Sequence, residues 1–124
     1  MKVVADSIGV LGEIATEQLL IRLTTDMEGN VRALVRGEID IQGAPELHRA
    51  LARVLDGTHG CLVVNLAEVS FCDCSALNVL LRLNARARRT RGRLILEAPS
   101  TQVTRLLSLT RSRNIFTIRV VTGH

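Results

Sequence analysis

Residues 61–77 decide the fold, and they run CLVVNLAEVSFCDCSAL. The first six form a continuous apolar run, which is typical of a strand that is buried on both faces of a sheet. Residues 67–72 are predicted to form a loop. Asp73 then stands where the N-cap of a helix is expected, with small polar residues in the turn that follows. The stretch therefore predicts a central strand, a loop and a helix that begins at Cys74.

Hydrophobic spacing on either side of this stretch predicts the other elements. Strands are expected at 17–24, 31–35, 61–66, 93–97 and 115–121, and helices at 44–55, at 74–89 and after Pro99-Ser100. Helices between the later strands imply right-handed crossovers. The predicted class is α/β, with a mixed, mostly parallel sheet and an antiparallel N-terminal edge hairpin.

The chain of 124 residues is predicted to hold one domain. Residues 1–16, which contain Gly9 and Gly12, show no clean hydrophobic period. We therefore expect them to be an N-terminal extension and residues 17–124 to be the domain. Hydrophobic residues make up 47% of the chain, which argues against disorder and indicates a core that is largely aliphatic.

Composition also limits the classes of partner. With Phe71 and Phe116 as its aromatic residues, the chain lacks platforms on which unstacked bases could stack, so no direct nucleic-acid partner is expected. No apolar run approaches the roughly 18 to 20 residues of a membrane span. An odd number of cysteines fits a reducing compartment, and we therefore expect a cytoplasmic protein.

Charge is distributed unevenly along the chain. Residues 1–81 carry six basic and eleven acidic side chains, whereas residues 82–124 carry ten arginines against Glu97 alone. The C-terminal third therefore presents a basic surface. Such a surface either steers an acidic partner or nucleic acid, or it is simply the solvated face of a helix.

Each catalytic or metal-binding constellation lacks a part. The histidines do not fall at metal-ligand spacing with the cysteines, and there is no glycine-rich phosphate loop. A nucleophile pair of Cys74 with His48 or His59 rests on residue types alone. We therefore expect a protein that is not an enzyme and that holds no metal and no cofactor.

Residues 64–77 resemble the signature of the STAS family, in particular of the bacterial anti-sigma factor antagonists, or anti-anti-sigma factors. That signature is a buried strand, an aromatic residue and then Asp-Ser-Ser/Thr-Gly-Leu opening a helix. Three further segments resemble the family in the same order: Gly37-Glu-Ile-Asp40 its Gly-Glu-Leu-Asp turn, Gly92-Arg-Leu-Ile-Leu96 its Gly-Gly-Arg-Leu strand, and 103–110 its third helix. The resemblance covers residues 17–121, so a STAS-like fold is expected.

The resemblance implies a binding module that acts by partner switching. In the family, the unphosphorylated domain binds an anti-sigma factor that is also a serine kinase, and this releases a sigma factor for transcription. The kinase phosphorylates the first serine of the signature, which ends binding. A phosphate close to Asp73 would add about −1.5 to −2 charges and repel that carboxylate.

By the same resemblance, Cys74 occupies the phosphoacceptor position and is the regulatory position of this chain. Ser75 matches the following Ser/Thr and becomes the candidate phosphosite, while Ala76 replaces the glycine of the family. The partner-binding residues that the resemblance implies are Asp73, Cys74, Ser75 and Asp40, within a surface formed by residues 68–72, the start of the second helix and the turn at 37–43. Asp73 is also expected to cap a helix, and Asp40 to serve a turn or cap.

Other functions on the same fold stay open. Cys74 would be an oxidation-sensitive thiol if it is exposed, which would make the protein a thiol redox sensor. The alternative is a non-phosphorylatable STAS scaffold in a stress-signalling or lipid-transport assembly. The family commonly has a further C-terminal helix, and without one a sheet face is left for self-association, so a homodimer is one expected assembly.

Overall fold

The computed structural model describes residues 9–57 and 61–121. Its strands are β1 (Gly9–Ala15), β2 (Leu19–Thr25), β3 (Val31–Ile39), β4 (Cys61–Cys72), β5 (Arg93–Glu97) and β6 (Thr117–Arg119). Its α-helices are α1 (Ala44–Gly57), α2 (Cys74–Arg89) and α3 (Thr101–Leu109), and a 3₁₀ turn at Arg113–Ile115 precedes β6. Within the described residues, no helix is both long and apolar enough to cross a membrane.

The strands form one sheet in the order β1-β2-β3-β4-β5-β6. The pairs β1–β2 and β2–β3 are antiparallel, whereas β3 to β6 pair in parallel. A helix joins each parallel pair, and right-handed crossovers between neighbouring strands place α1, α2 and α3 on the same face of the sheet. The predicted α/β class, with its edge hairpin and mostly parallel sheet, is confirmed.

The two edges of the sheet differ from the predicted elements. β1 lies inside the predicted extension, residues 1–16, and pairs antiparallel with β2 with a bulge between Val10 and Gly12. A bulge interrupts the alternation of side chains, which is why no strand was predicted there. At the other edge, the strand predicted at 115–121 is reduced to β6. The domain boundary between residues 16 and 17 stays a prediction.

The prediction of a loop at 67–72 is wrong, because β4 continues to Cys72. β3 also runs past its predicted end to Ile39, and the two extensions pair with each other. Shifts of register in this pairing place Arg36 opposite Glu68. β4 continues through these irregularities, although they break its alternation of apolar and polar residues. The extension is therefore not visible in the sequence pattern and is seen only in the pairing of β4 with β3.

One hydrophobic core fills the space between the sheet and the helices. Its largest fully buried side chains are all aliphatic: Ile21, Ile39, Leu47, Leu51, Leu55, Leu62, Leu66, Leu83, Leu96, Leu107, Val35 and Val64. Strand side chains alternate between faces, so charged residues such as Arg32, which pairs with the buried Glu97, lie on the sheet face away from the helices. The core thereby holds β3 and β4 firmly side by side, and the candidate site is built at their ends.

Candidate partner-binding site

The carboxyl ends of β3 and β4 lie next to each other at one edge of the sheet. Ile39 ends β3 and is paired with Cys72, which ends β4. Because the two strands are parallel, the chain leaves both at the same edge. Asp40 and Asp73 are the residues that follow, so the structure brings these two predicted site residues to neighbouring positions. Binding residues of α/β proteins commonly lie at this edge.

Asp73 is the N-cap of α2. Its backbone is extended, with φ −122° and ψ −167°, and its Oδ1 accepts a hydrogen bond of 2.9 Å from the backbone N–H of Ser75. The Ser75 hydroxyl donates to the same oxygen. This arrangement satisfies one of the N–H groups that the first turn of a helix leaves unpaired. The expected capping role of Asp73 is confirmed, while its contact with a partner stays a prediction.

Asp40 holds the turn that leads into α1. Its Oδ1 accepts hydrogen bonds from the backbone N–H groups of Gln42 and Gly43, each at 3.0 Å. Its own carbonyl accepts from the N–H of Ala44 at 2.8 Å. The turn role expected for Asp40 is therefore confirmed. Both aspartates are fixed in position by the backbone groups that they accept from, which makes them rigid surface features.

Large apolar side chains are exposed beside these aspartates. Ile41 is 76% exposed and Phe71 is 45% exposed, while Cys74 is exposed and Ser75 half-buried. We define the contact patch by six residues: Asp40, Ile41, Phe71, Asp73, Cys74 and Ser75. Exposed aliphatic and aromatic side chains that lie beside polar groups are typical of surfaces that bind other proteins.

The sequence did not single out Ile41 and Phe71, although both lie in the segments, 37–43 and 68–72, that were expected to form the binding surface. Phe71 carried a signal, since it is the aromatic residue of the signature that precedes Asp73. Ile41 carried little, because an apolar residue between two turn residues can point to the core or to solvent. Its exposure follows from the turn that Asp40 holds, which is a matter of three-dimensional geometry rather than of residue type.

The three thiols lie in different surroundings. Cys74 is exposed, whereas Cys61 and Cys72 are half-buried. Burial raises the pKa of the Cys61 thiol and of the Cys72 thiol, and the carboxylate of Asp73 raises the pKa of Cys72 further. Because the thiolate is the reactive form, Cys61 and Cys72 are poor nucleophiles at neutral pH. Cys74 is the accessible thiol of the three.

His48 lies on α1, and in the described part of the chain no hydrogen bond joins its side chain to Cys74. Burial, together with the positive charges of Arg82 and Arg86, lowers the pKa of His48. His59 lies outside the described residues. Across 9–57 and 61–121, no group of three or more His, Cys, Asp or Glu residues is placed to hold a metal ion.

Comparison with known proteins gives one family and several similar structures. A family model described as "Mlab, STAS domain" matches residues 23–117. No curated protein matches the sequence. The chain is similar to the unphosphorylated form of the anti-sigma factor antagonist SpoIIAA, with 18% identity and a TM-score of 0.69 over 83% of this chain and 89% of that one.

Two further solved structures are similar over most of their length. An anti-sigma factor antagonist from Mycobacterium paratuberculosis is 26% identical, with a TM-score of 0.67 over 85% of this chain and 88% of that one. An anti-sigma-factor antagonist (STAS) domain protein from Planctomyces limnophilus is 17% identical, with a TM-score of 0.69 over 83% of this chain and 91% of that one.

The family match includes the whole contact patch. It runs from β2 to the first residue of β6 and so contains both paired strand ends and the start of α2. The similar structures match more than four fifths of this chain. The chain belongs to the STAS domain family, and its fold is that of the anti-sigma factor antagonists.

Proposed function

We propose that this STAS domain is an anti-sigma factor antagonist, which binds an anti-sigma factor of the serine-kinase type by partner switching and so frees a sigma factor for transcription. The observation that carries the proposal is the contact patch, where Asp40 and Asp73 leave paired strand ends beside exposed apolar side chains. Similarity to anti-sigma factor antagonists supports it. The proposed role is binding without catalysis, cofactor or nucleic acid, in the cytoplasm.

The contact patch has the two ingredients of a protein-binding surface. Ile41 and Phe71 supply apolar area, whose removal from water is favourable by about 25 cal/mol per Å² before the costs of association are subtracted. Asp40 and Asp73 supply acceptors for cationic or N–H groups of the partner. Since hydrogen bonds already hold both carboxylates in place, little further side-chain entropy is lost when a partner binds.

Ser75 is the proposed phosphosite of this chain. It lies one residue beyond Cys74, which along a helix means a rotation of about 100° and a rise of about 1.5 Å. Its hydroxyl donates to Asp73 Oδ1. A phosphate on that hydroxyl oxygen would replace the hydrogen bond by repulsion between two anions. Phosphorylation would thus weaken both the N-cap of α2 and the contact patch.

Features of Ser75 and Cys74 favour two other functions. The half-burial of Ser75, and the bond that holds its hydroxyl, favour a non-phosphorylatable scaffold in a stress-signalling or lipid-transport assembly. The exposure of Cys74 favours a thiol redox sensor, in which oxidised Cys74 takes over the role of the phosphate. The sensor requires Cys74 to be alkylated much faster than Cys61.

The test is to mix the purified protein with the anti-sigma kinases of its source organism and ATP. Native mass spectrometry would detect a complex, and fragmentation would locate any phosphate. The proposal predicts a one-to-one complex with one kinase before ATP is added, and then a phosphate on Ser75 with loss of the complex once ATP is present. A Ser75→Ala variant serves as the matched control, since it should bind the kinase and take up no phosphate.

The outcomes separate the candidate functions. A complex without phosphate would assign the protein to constitutive or thiol-controlled antagonism, and alkylation of Cys74 before mixing would then distinguish the two. No complex with any of the kinases would contradict the proposal and favour the scaffold.

A further inference from the structure

A groove of about 580 Å³ opens between α1 and α2 directly beside the contact patch. Ser75 lines one end of it, and so does Ile41, so the groove and the contact patch are continuous. Its floor is made of small apolar side chains, Ala44, Ala52 and Val79, which are buried. A groove of this volume is suited to a row of side chains rather than to a whole domain.

Four arginines line the groove, two from each helix. Arg49 and Arg53 are four residues apart on α1, and Arg82 and Arg86 are four apart on α2, so each pair lies on one helix face. Asp56 is the one carboxylate among the described lining residues, and it already forms an ion pair with Arg86 at 2.7 Å. The groove therefore carries an excess of positive charge.

Two of these arginines are available to a ligand. Arg49 pairs with Glu46 at 3.0 Å, and Arg86 with Asp56. In the part of the chain that the structure describes, neither Arg53 nor Arg82 has an ion-pair partner, and both side chains are exposed. They lie on opposite walls of the groove, one on each helix.

The state of His48 is consistent with a positive field in the groove. Its side chain lines the same wall as Arg49 and Arg53. Burial and the charges of Arg82 and Arg86, which reach it across the groove, lower its pKa. The contributions of the two arginines agree with the positive charge of the groove, which would attract a negative group of a ligand.

We infer that this groove binds an acidic, amphipathic segment of the anti-sigma factor, whose carboxylates pair with Arg53 and Arg82 while an apolar side chain packs against Ile41. The inference rests on the proposed function, because it names the part of that partner which extends beyond the contact patch. Guanidinium groups bind carboxylates with two parallel hydrogen bonds, so two arginines on opposite walls select a segment with spaced acidic residues. The basic residues of α2 would thus take part in recognising the acidic segment of the partner.

The contribution of these charges is expected mainly in the rate of association. Arg53 and Arg82 are exposed, so their ion pairs are screened by salt and each adds modestly to affinity. Complementary charge steers the encounter and sets the register of the bound segment. Binding through the groove should therefore weaken as ionic strength rises.

The test uses a probe peptide that does not depend on knowing the partner. The probe is a synthetic helical peptide that presents leucines on one face and a glutamate on either flank of that face, and its counterpart has glutamine at both glutamates. Binding is measured by fluorescence anisotropy and located by amide chemical shifts of the whole protein. The variants are Arg53→Glu with Arg82→Glu, and a matched pair, Arg88→Glu with Arg89→Glu, at the other end of α2.

The inference predicts that the acidic peptide shifts amides of both α1 and α2 along the groove. The Arg53/Arg82 variant should bind it at least tenfold more weakly, the Arg88/Arg89 variant within twofold of the parent, and the glutamine peptide should lose most of its affinity. Equal loss in both variants, or shifts confined to the far end of α2, would overturn the inference, since they would indicate unspecific charge attraction.

Failure of the inference and failure of the proposed function give different results. If Asp73→Lys abolishes the kinase complex while the Arg53/Arg82 variant binds the kinase as tightly as the parent, the contact patch acts alone and the groove inference is wrong. If the parent binds a kinase and neither variant changes that binding, both the contact patch and the groove are wrong as binding surfaces. If the parent binds no kinase at all, the proposed function itself is wrong. Loss in both variants, with the folded state intact by circular dichroism, supports both.

Discussion

Gly37 has a backbone conformation that only glycine adopts at low cost. Its φ is +108°, and a Cβ at this position would lie 2.1 Å from the carbonyl oxygen of Gln18. That same oxygen accepts a hydrogen bond from the N–H of Glu38 at 2.9 Å. The close approach of the two chain segments sets the path of β3 towards Asp40. This gives a physical reason for the glycine in the Gly-Glu-Ile-Asp turn.

Replacing Gly37 by alanine should therefore destabilise the protein. Strain at a positive φ and the clash with backbone together are expected to lower the free energy of unfolding by about 2–4 kcal/mol. Urea unfolding followed by circular dichroism measures the change. Gly12→Ala is the matched control: nothing lies within 4 Å of its Cβ, so its stability should change little. Equal stabilities of the two variants would show that the turn can relax.

Two replacements of Asp73 distinguish its role as a helix cap from the effect of its negative charge. Asp73→Ala removes the acceptor for the Ser75 N–H and is expected to lower the free energy of unfolding by about 1 kcal/mol. Asp73→Asn keeps a side-chain oxygen at the N-cap and should cost only a few tenths of that. Thermal unfolding of both variants beside the parent measures the difference. An alanine variant as stable as the asparagine variant would mean that the cap contributes nothing.

At the scale of single elements, the sequence predicted the elements in which apolar residues recur at a regular local spacing. α1 and α2 were predicted because apolar residues recur at helical spacing, and α2 also because Asp73 precedes it. The second half of β4 and the end of β3 were not, since their register shifts break the period of two. The pairing of residues 36 and 68 is a contact between distant parts of the chain, and no local pattern encodes it.

The packing of α1 on α2 should depend on pH through His48. Burial, Arg82 and Arg86 lower its pKa from its ordinary value of about 6.5, so the folded protein binds a proton there less readily than the unfolded chain. Between the folded and unfolded pKa values the unfolded state holds more protons. Stability should therefore fall as the pH drops from above about 6.5 towards the folded-state pKa.

A His48→Gln variant tests this dependence. Unfolding by urea at pH 7.5 and at pH 5.5 should show a smaller loss of stability in the variant than in the parent. A proton resonance titration of the histidines should place the His48 midpoint below that of a free histidine. A variant with the same pH dependence as the parent would contradict the assigned environment of His48.

At the scale of the whole molecule, the fold separates the candidate site from the basic C-terminal end of α2. The contact patch lies at the carboxyl ends of the parallel strands, beside the start of α2. Arg88 and Arg89 lie in the last turn of α2, next to the start of β5 at Arg93, and thus at the opposite end of the sheet. A self-associating sheet face would be a third surface, and a homodimer stays a prediction.

The sequence predicted part of the candidate site. Asp40, Asp73, Cys74 and Ser75 were inferred from a family resemblance, and the structure brings their chain segments together through the paired strand ends. Neither the exposure of Ile41 nor the bond between Ser75 and Asp73 could be inferred, because each depends on backbone geometry at a turn or cap. The groove between α1 and α2 could not be predicted from the sequence either, because its two walls are separated in the chain by the whole of β4.

The central claim is that the contact patch binds an anti-sigma factor, and the most direct test is the dissociation constant of Asp73→Lys beside Glu28→Lys. The two variants make the same charge change, and Glu28 lies in the exposed turn before β3, at the far end of that strand. Isothermal titration calorimetry with the anti-sigma factor that forms the complex measures both. We predict binding at least 100-fold weaker for Asp73→Lys and within twofold of the parent for Glu28→Lys. If Asp73→Lys binds as tightly as the parent protein, the patch is not the binding surface.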